Sequence, residues 1–322
     1  MADTNIKANN LNEHGYGYAG KPMTKGRYLR IQMKRNWAGY VMVLPFVLIF
    51  FAFTVVPVIL SIALSFTSFN MLEWPEWKGV QNYVQLFLAD DLFITAFSNT
   101  MLFAITTGPI SFILSFVVAW FINELSPRIR AIVTVIFYAP SISGTAYLVW
   151  GIFFQGNIYG YVNGWLLKMG IINTPIVFFK DTKYIVPLCI IVALWTSLGT
   201  SFLSNIAGLQ GVDRSLYEAG AIDGIKNRWQ EAWYITLPSM RSILLFGAVL
   251  SITGAFGFGA IVNALCGNPS TDYVAWTLQH HLTEYMSTRF EYGYASAIAV
   301  VLFAIMMIAN LLVQKFLAKV GQ

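Results

Sequence analysis

Charge is scarce in this 322-residue chain: Asp, Glu, Lys and Arg together make up 11% of it, against roughly a quarter in a soluble domain. Hydrophobic residues reach 57% and aromatics 16%, which excludes an ordinary water-soluble globule and points to a polytopic membrane protein. No Gly-x4-Gly-Lys-Ser/Thr occurs, so there is no P-loop with which to bind nucleotide. No Asp, Glu, Lys, Arg or His falls within the long apolar stretches, although proton-driven carriers keep such groups at membrane depth as relays. Proton coupling is therefore disfavoured, and a membrane-embedded enzyme would need a polar catalytic set that is not visible. Cysteine is limited to Cys189 and Cys266, which show no pairing pattern or metal spacing and read as inert thiols. His280 and His281 are poor co-ligands, because neighbours on a helix point about 100° apart, so no metal is expected.

What the chain has instead is apolar length. Six uncharged stretches, at about 38–68, 93–123, 131–154, 184–208, 242–266 and 293–314, are each long enough to cross a core of ~30 Å as a helix. Pro45 and Pro57 in the first, Pro140 in the third, and Gly254, Gly257 and Gly259 in the fifth predict kinks or thin places. The expected fold is all-α, a six-helix transmembrane domain over 38–318. A basic segment at 1–37, with no cleavable signal, precedes it, and a short tail at 319–322 follows. With the N-terminus inside, both termini and the loops at 124–130 and 209–241 face the cytoplasm. Fifteen of the 20 Lys and Arg residues then lie inside, a threefold bias of the kind that sets topology. A net charge of +5 is thus explained by the membrane, with anionic lipid as the partner of the basic segment and no nucleic acid implied.

The polar stretch from Asp213 to Pro238 interrupts this apolar sequence. Ser215-Leu-Tyr-Glu218 reads as a capping box that starts a short helix. Gly224 is a natural left-handed terminator, Asn227 can cap a second helix carrying Trp229 and Trp233 on one face, and Pro238 opens the next apolar segment. Two short helices at an angle form a knob.

Glu218-Ala219-Gly220, Asp223-Gly224 and Ile235-Thr-Leu237-Pro238 together resemble the cytoplasmic EAA loop of ABC-importer permeases, those of carbohydrate importers above all. The resemblance covers nearly the whole chain from about residue 38. It implies a type I ABC importer permease fold and a bacterial or archaeal cytoplasmic membrane. It also implies a loop at 209–241 in which Glu218, Ala219, Gly220, Asp223, Gly224, Leu237 and Pro238 couple to a separate ATPase dimer. ATP and Mg2+ would be bound on that partner, with no cofactor on this chain. A second, related permease and an extracytoplasmic sugar-binding protein complete the implied assembly. Two departures stand out. Gly220 replaces an alanine common in the family, and ten residues rather than nine separate Gly224 from Ile235, which is expected to lengthen the turn.

The path is less marked. A neutral, hydroxyl-rich solute suits a cavity of aromatics, hydroxyls and amides without fixed charge, because sugar C–H faces stack on aromatic rings while hydroxyls hydrogen-bond. Trp195, Ser201 and Asn205 in the fourth span and Asn263 in the fifth are the candidates, beside Thr196, Ser197, Thr200, Ser251 and Thr253. The same polar stripe can instead join helices to one another. Carbohydrate as substrate follows mainly from the resemblance. A sodium-coupled carrier of a small polar solute is the alternative, but it would leave the loop unexplained. The segment 69–92, with Trp74, Trp77, Asn82, Tyr83 and Asp90-Asp91, reads as an interfacial helix and its approach.

Overall fold

The computed structural model describes Arg30 and residues 32–317. Most of the basic segment over 1–37 and the tail at 319–322 lie outside the described residues. The chain divides into two units, residues 1–61 and 62–322. The first unit contributes most of helix α1 (Trp37–Leu64). This helix widens into a π-turn at Phe51–Val55 just before Pro57, whose missing N–H leaves the Phe53 carbonyl without its α-helical donor.

The second unit is helical among the described residues, with a single isolated bridge between Thr67 and Trp77. In order come α2 (Gln81–Leu88), α3 (Asp91–Asn123), α4 (Pro127–Ile142), α5 (Leu148–Phe153), α6 (Tyr161–Lys168), α7 (Thr182–Thr196) and α8 (Thr200–Gly211). They are followed by α9 (Arg214–Ile222), α10 (Arg228–Ser239), α11 (Arg241–Gly254), α12 (Gly259–Cys266), α13 (Leu278–Ser287) and α14 (Tyr292–Leu317). The 33-residue α3 is the central post, packed against α7, α8, α11 and α13. Its buried face carries Thr100, Phe103, Thr107, Ser111 and Ser115, while Leu102, Ile105 and Ile113 are exposed, as expected of a helix with protein on one side and lipid on the other.

Among the described residues three helices, Trp37–Leu64, Asp91–Asn123 and Tyr292–Phe316, are long and apolar enough to cross a membrane, and counting each of two bent pairs as one span brings the number to five. The third expected stretch, 131–154, is interrupted: α4 ends two residues after Pro140, and Gly144 at φ +63° turns the chain before α5. The fourth span is also broken, α7 and α8 being inclined by 43° across Ser197–Gly199, a break the apolar pattern did not reveal. The fifth opens over Ala255–Phe258, between α11 and α12, within the Gly254–Gly259 series. Cys189 and Cys266, read from sequence as unrelated, stand 3.6 Å apart Sγ to Sγ where α7 meets α12.

Candidate functional site

The loop between α8 and α11 forms as two short helices, with the start of the first displaced from its expected position. Asp213, in extended geometry, accepts the Ser215 N–H at 3.0 Å and is the cap of α9. That hydrogen bond holds its carboxyl below the ordinary carboxylate range. Ser215 already lies inside the helix, so the expected Ser215–Glu218 capping box is absent, and Glu218 is an exposed mid-helix residue. At the other end Gly224 takes φ +95°, and the Ile225 N–H bonds back to the Gly220 carbonyl at 2.9 Å, the pattern that closes a helix through a left-handed residue. Asn227 caps α10 by accepting from the Gln230 N–H, and the Gln230 side chain accepts the Lys226 N–H in return, both at 2.9 Å.

Gly220 has a packing role. A Cβ at this position would stand 2.6 Å from Ile235 Cδ1 and 3.0 Å from Ile225 Cδ1, so its absence lets α9 close onto α10. Tyr217 and Thr236 join the two helices by a hydroxyl contact of 2.9 Å. α10 contains a π-turn at Ala232–Thr236, which takes up one residue more than an α-turn. Pro238 likewise closes the last turn of α10 rather than opening α11. The two helices meet at an angle of 84°, on the fully buried Met240.

This end of the bundle presents two surfaces. One is a recess of about 560 Å³ whose lining includes Glu124, Arg130, Arg214, Tyr217 and Glu218. Arg228 closes its edge, bonding Glu124 at 2.9 Å and Glu231 at 2.8 Å. The other is an apolar face on the knob itself. Ile222 is 87% exposed, and Trp233 and Tyr234 are about two-thirds exposed. Trp229, expected beside Trp233, is equally exposed at 69% and also touches Trp120, with ring centroids 5.0 Å apart.

Midway along α3 lies a cavity of about 340 Å³, where the breaks in α7–α8 and α11–α12 face Thr107 and Ser111. Ser201 lines it, together with Thr196, Ser197 and Ser251, and no charged side chain does so among the described residues. Asn205 lies outside the lining, fully buried, with its amide donating to Ser115 Oγ at 3.2 Å. Ser201 Oγ is 3.4 Å from the same serine and donates to the Gly247 carbonyl at 3.2 Å. These contacts join α3, α8 and α11. Trp195 turns away, edge-on to Trp150 at 5.7 Å, and Asn263 is exposed on α12. Thus one of the four path candidates lines the cavity, and one is a joint between helices.

At the far end of α3, Asp90 caps the helix by accepting the Phe93 N–H at 2.9 Å. Its other oxygen receives His281 Nε2 at 2.9 Å and the Tyr294 hydroxyl at 2.8 Å. Burial pushes its pKa upward, but these hydrogen bonds outweigh it and the carboxyl sits below its ordinary value. His281 is shifted down by burial despite the carboxylate. The contact is therefore a hydrogen bond from a neutral imidazole whose Nδ1 faces the Trp276 indole N–H. His280 points elsewhere, Nδ1 accepting from the Thr277 backbone, and burial lowers its pKa to about 4.

The model of the family described as "binding-protein-dependent transport system inner membrane component" matches residues 116–322. The chain belongs to this family. The permease protein YesP of Bacillus subtilis (strain 168) is 30% identical over 93% of this chain and 95% of its own. The lactose transport system permease protein LacF of Rhizobium radiobacter is 28% identical over 90% and 97%. The fold matches a subunit of a bacterial ABC transporter that imports the acidic polysaccharide alginate. The TM-score is 0.75 at 24% identity, covering 92% of this chain and all of that one. The permease is accordingly a multi-pass membrane component of a transport system, not a catalyst.

Several features of this permease escaped sequence reasoning. Arg228 and Glu124 are far apart in the chain, and nothing local pairs them. The Asp90–His281 contact spans 191 positions. Thr107, Ser111 and Ser115 were not singled out either, although their spacing of four places them on one helical face.

Proposed function

We propose that the permease forms, with a second related permease, the translocation path of an ATP-driven importer for carbohydrate, working by alternating access. Both termini and the Asp213–Ser239 loop face the cytoplasm, where an ATPase dimer carrying ATP and Mg2+ docks on the Ile222–Trp233–Tyr234 face. An extracytoplasmic sugar-binding protein delivers the solute at the Asp90 end. The coupling set Glu218, Ala219, Gly220, Asp223, Gly224, Leu237 and Pro238 and the path residue Ser201 belong to this reading. Trp195 and Asn205 act through the packing around the path, and Asn263 is exposed on α12.

The observation that carries the proposal is the direct junction of two helices through a single residue, Met240. The knob is joined through the 84° bend at Met240 to α11, and α11 lines the charge-free cavity with Leu250, Ser251 and Gly254. A movement imposed on α10 by ATPase closure reaches the cavity along a single helix, with no flexible linker between. Exposed large apolar side chains at the polar end of a membrane protein are a surface for a protein partner. The lactose permease relative and the sugar-like character of the cavity support carbohydrate as the cargo.

The test is purification of a tagged chain from its native membrane, followed by reconstitution and measurement of ATP-driven sugar uptake. Two permeases and an ATPase should be recovered together, and uptake should require ATP. Recovery of a lone chain with full uptake, or uptake driven by an ion gradient alone, would overturn the reading.

A further inference from the structure

The two cysteines of the chain meet where α7 packs on α12. Ile185, Cys189 and Ala193 of α7 share one apolar cluster with Ile261, Val262 and Cys266 of α12, and the two Sγ atoms stand 3.6 Å apart. Cys189 is buried and Cys266 half-buried. Apolar packing is non-directional, so a joint of this kind holds two helices together without fixing how they lie along one another. The thiol pair is the place where a covalent bond can fix it.

A tie at this point would act on the cavity. α7 is one half of the broken fourth span, and α12 follows the break in the fifth. Both breaks border the cavity, one through Thr196 and Ser197, the other through Gly257 and Phe258. The other halves, α8 and α11, are joined by the Ser201–Gly247 hydrogen bond of 3.2 Å, and α11 runs on to the knob. A disulfide holds its sulfurs about 2.05 Å apart, so the pair must close by about 1.5 Å. Cys266 can supply that movement, because it is the last residue of α12 and Gly267 turns the chain after it at φ +84°.

Resting on the alternating-access reading, we propose that Cys189 and Cys266 are a reversible oxidation site for hydrogen peroxide, whose disulfide ties α7 to α12 and arrests the transport cycle. On that reading Cys266 leads into the extracytoplasmic segment 267–292, where no glutathione pool keeps thiols reduced. The Cys266 thiol gives up its proton and the thiolate attacks one peroxide oxygen. The O–O bond breaks, and the departing hydroxide takes up the proton as water, leaving a sulfenic acid. The Cys189 sulfur then attacks the sulfenic sulfur, the S–O bond breaks, and the hydroxyl leaves with the Cys189 proton as a second water. Two thiols and one peroxide become one disulfide and two waters, with two electrons passing from sulfur to oxygen. A dithiol reductant reverses the step by exchange.

The test uses the complete transporter, purified under reducing conditions and reconstituted in lipid vesicles with its binding protein, before and after treatment with hydrogen peroxide. Free thiols are blocked with N-ethylmaleimide, peptides are identified by mass spectrometry, and ATP hydrolysis is measured in parallel. Peroxide should yield a peptide pair linked through Cys189 and Cys266. Hydrolysis should fall about fivefold or more, because a blocked conformational step limits turnover, and should return with dithiothreitol. Cys189→Ala and Cys266→Ala should each keep the rate of the reduced complex and lose the response to peroxide. Should either variant fail to assemble, the linked pair and the recovery with dithiothreitol in the wild type decide the matter. Absence of the linked pair after peroxide would overturn the proposal, as would a linked pair formed with no change in rate. Inhibition that persists in both variants would assign it to another subunit's cysteines and overturn it too. A reduced complex that contains no ATPase would overturn the importer reading and the arrest with it, while the linked pair would still be read by mass.

Discussion

At one end of α3 the Asp90 carboxylate is surrounded by donors from three elements: the Phe93 backbone, His281 and Tyr294. Packed around them are buried Leu86, Phe93, Trp276 and Leu278. At the other end Ile222, Trp233 and Tyr234 stand exposed, and Glu218 faces an open recess. At the first end Asp90, His281 and Tyr294 satisfy one another, whereas the second leaves large apolar side chains mostly exposed. A self-satisfied cluster fixes the relation of α3, α13 and α14. An unsatisfied surface is built for something the chain does not contain.

Removing the Asp90 carboxylate should have the largest effect on the scaffold. Asp90→Ala loses an N-cap and two hydrogen bonds to a charged acceptor, together worth about 4 kcal/mol. Thermal unfolding in detergent should show a large loss of stability and folded yield, while the folded remainder still captures its partner through the knob. An unaltered melting temperature would show that the cluster is not holding the helices.

Acid should act at the same end. His280 and His281 are shifted down by burial, so the folded state holds fewer protons than the unfolded one below the ordinary histidine value of 6.5. Stability contributed by their neutral forms is present above pH 6.5 and declines as pH falls toward about 4, the value for His280. From His280 alone this amounts to roughly 3 kcal/mol, at about 1.4 kcal/mol per pH unit. Asp90, also lowered, extends the loss below 3.8. His280→Gln should flatten the upper part of the pH profile. A profile level between pH 7 and 4 would contradict these assignments.

At the knob, smaller costs should have more local consequences. Gly224→Val forces a β-branched residue to φ +95° at a cost of about 1–2 kcal/mol. It should disturb the α9–α10 turn and partner capture while leaving the melting temperature of the bundle nearly unchanged. The smallest effect is expected at Arg228, whose side chain is 63% exposed. Arg228→Ala should change stability by less than about 1 kcal/mol and respond to salt. A loss of several kcal/mol would mean that the Arg228–Glu124 contact is structural, and the contrast between the two ends would be blurred.

How much was legible in the sequence follows the same contrast. Spans, loop and family came from local signals: apolar length, Gly224 at a turn, and Asn227 before a helix. The cap was misplaced because Asp213 and Ser215 are both good caps two residues apart, and only the backbone geometry at Asp213 separates them. The break at Ser197–Gly199 was hidden because short polar groups in an apolar run serve equally for helix packing, whereas Pro140 did mark the region where α4 ends. Trp195 and Asn263 were chosen for their chemistry, but direction depends on helix rotation, which the tertiary packing sets. Pairings such as Asp90 with His281, or Cys189 with Cys266, depend on the folded path of the chain.

The central claim is that the exposed apolar face of the knob is the docking surface for the energy-supplying subunit. It is tested by recovering that subunit on tagged wild-type and Ile222→Asp chains, from native membranes containing equal amounts of folded permease. Ile222 is 87% exposed, so the substitution should leave folding and melting temperature unchanged. It should weaken recovery of the ATPase by about tenfold or more, since an apolar side chain of this size contributes roughly 1.5–3 kcal/mol when buried. Full ATPase recovery and wild-type uptake on Ile222→Asp would contradict the assignment.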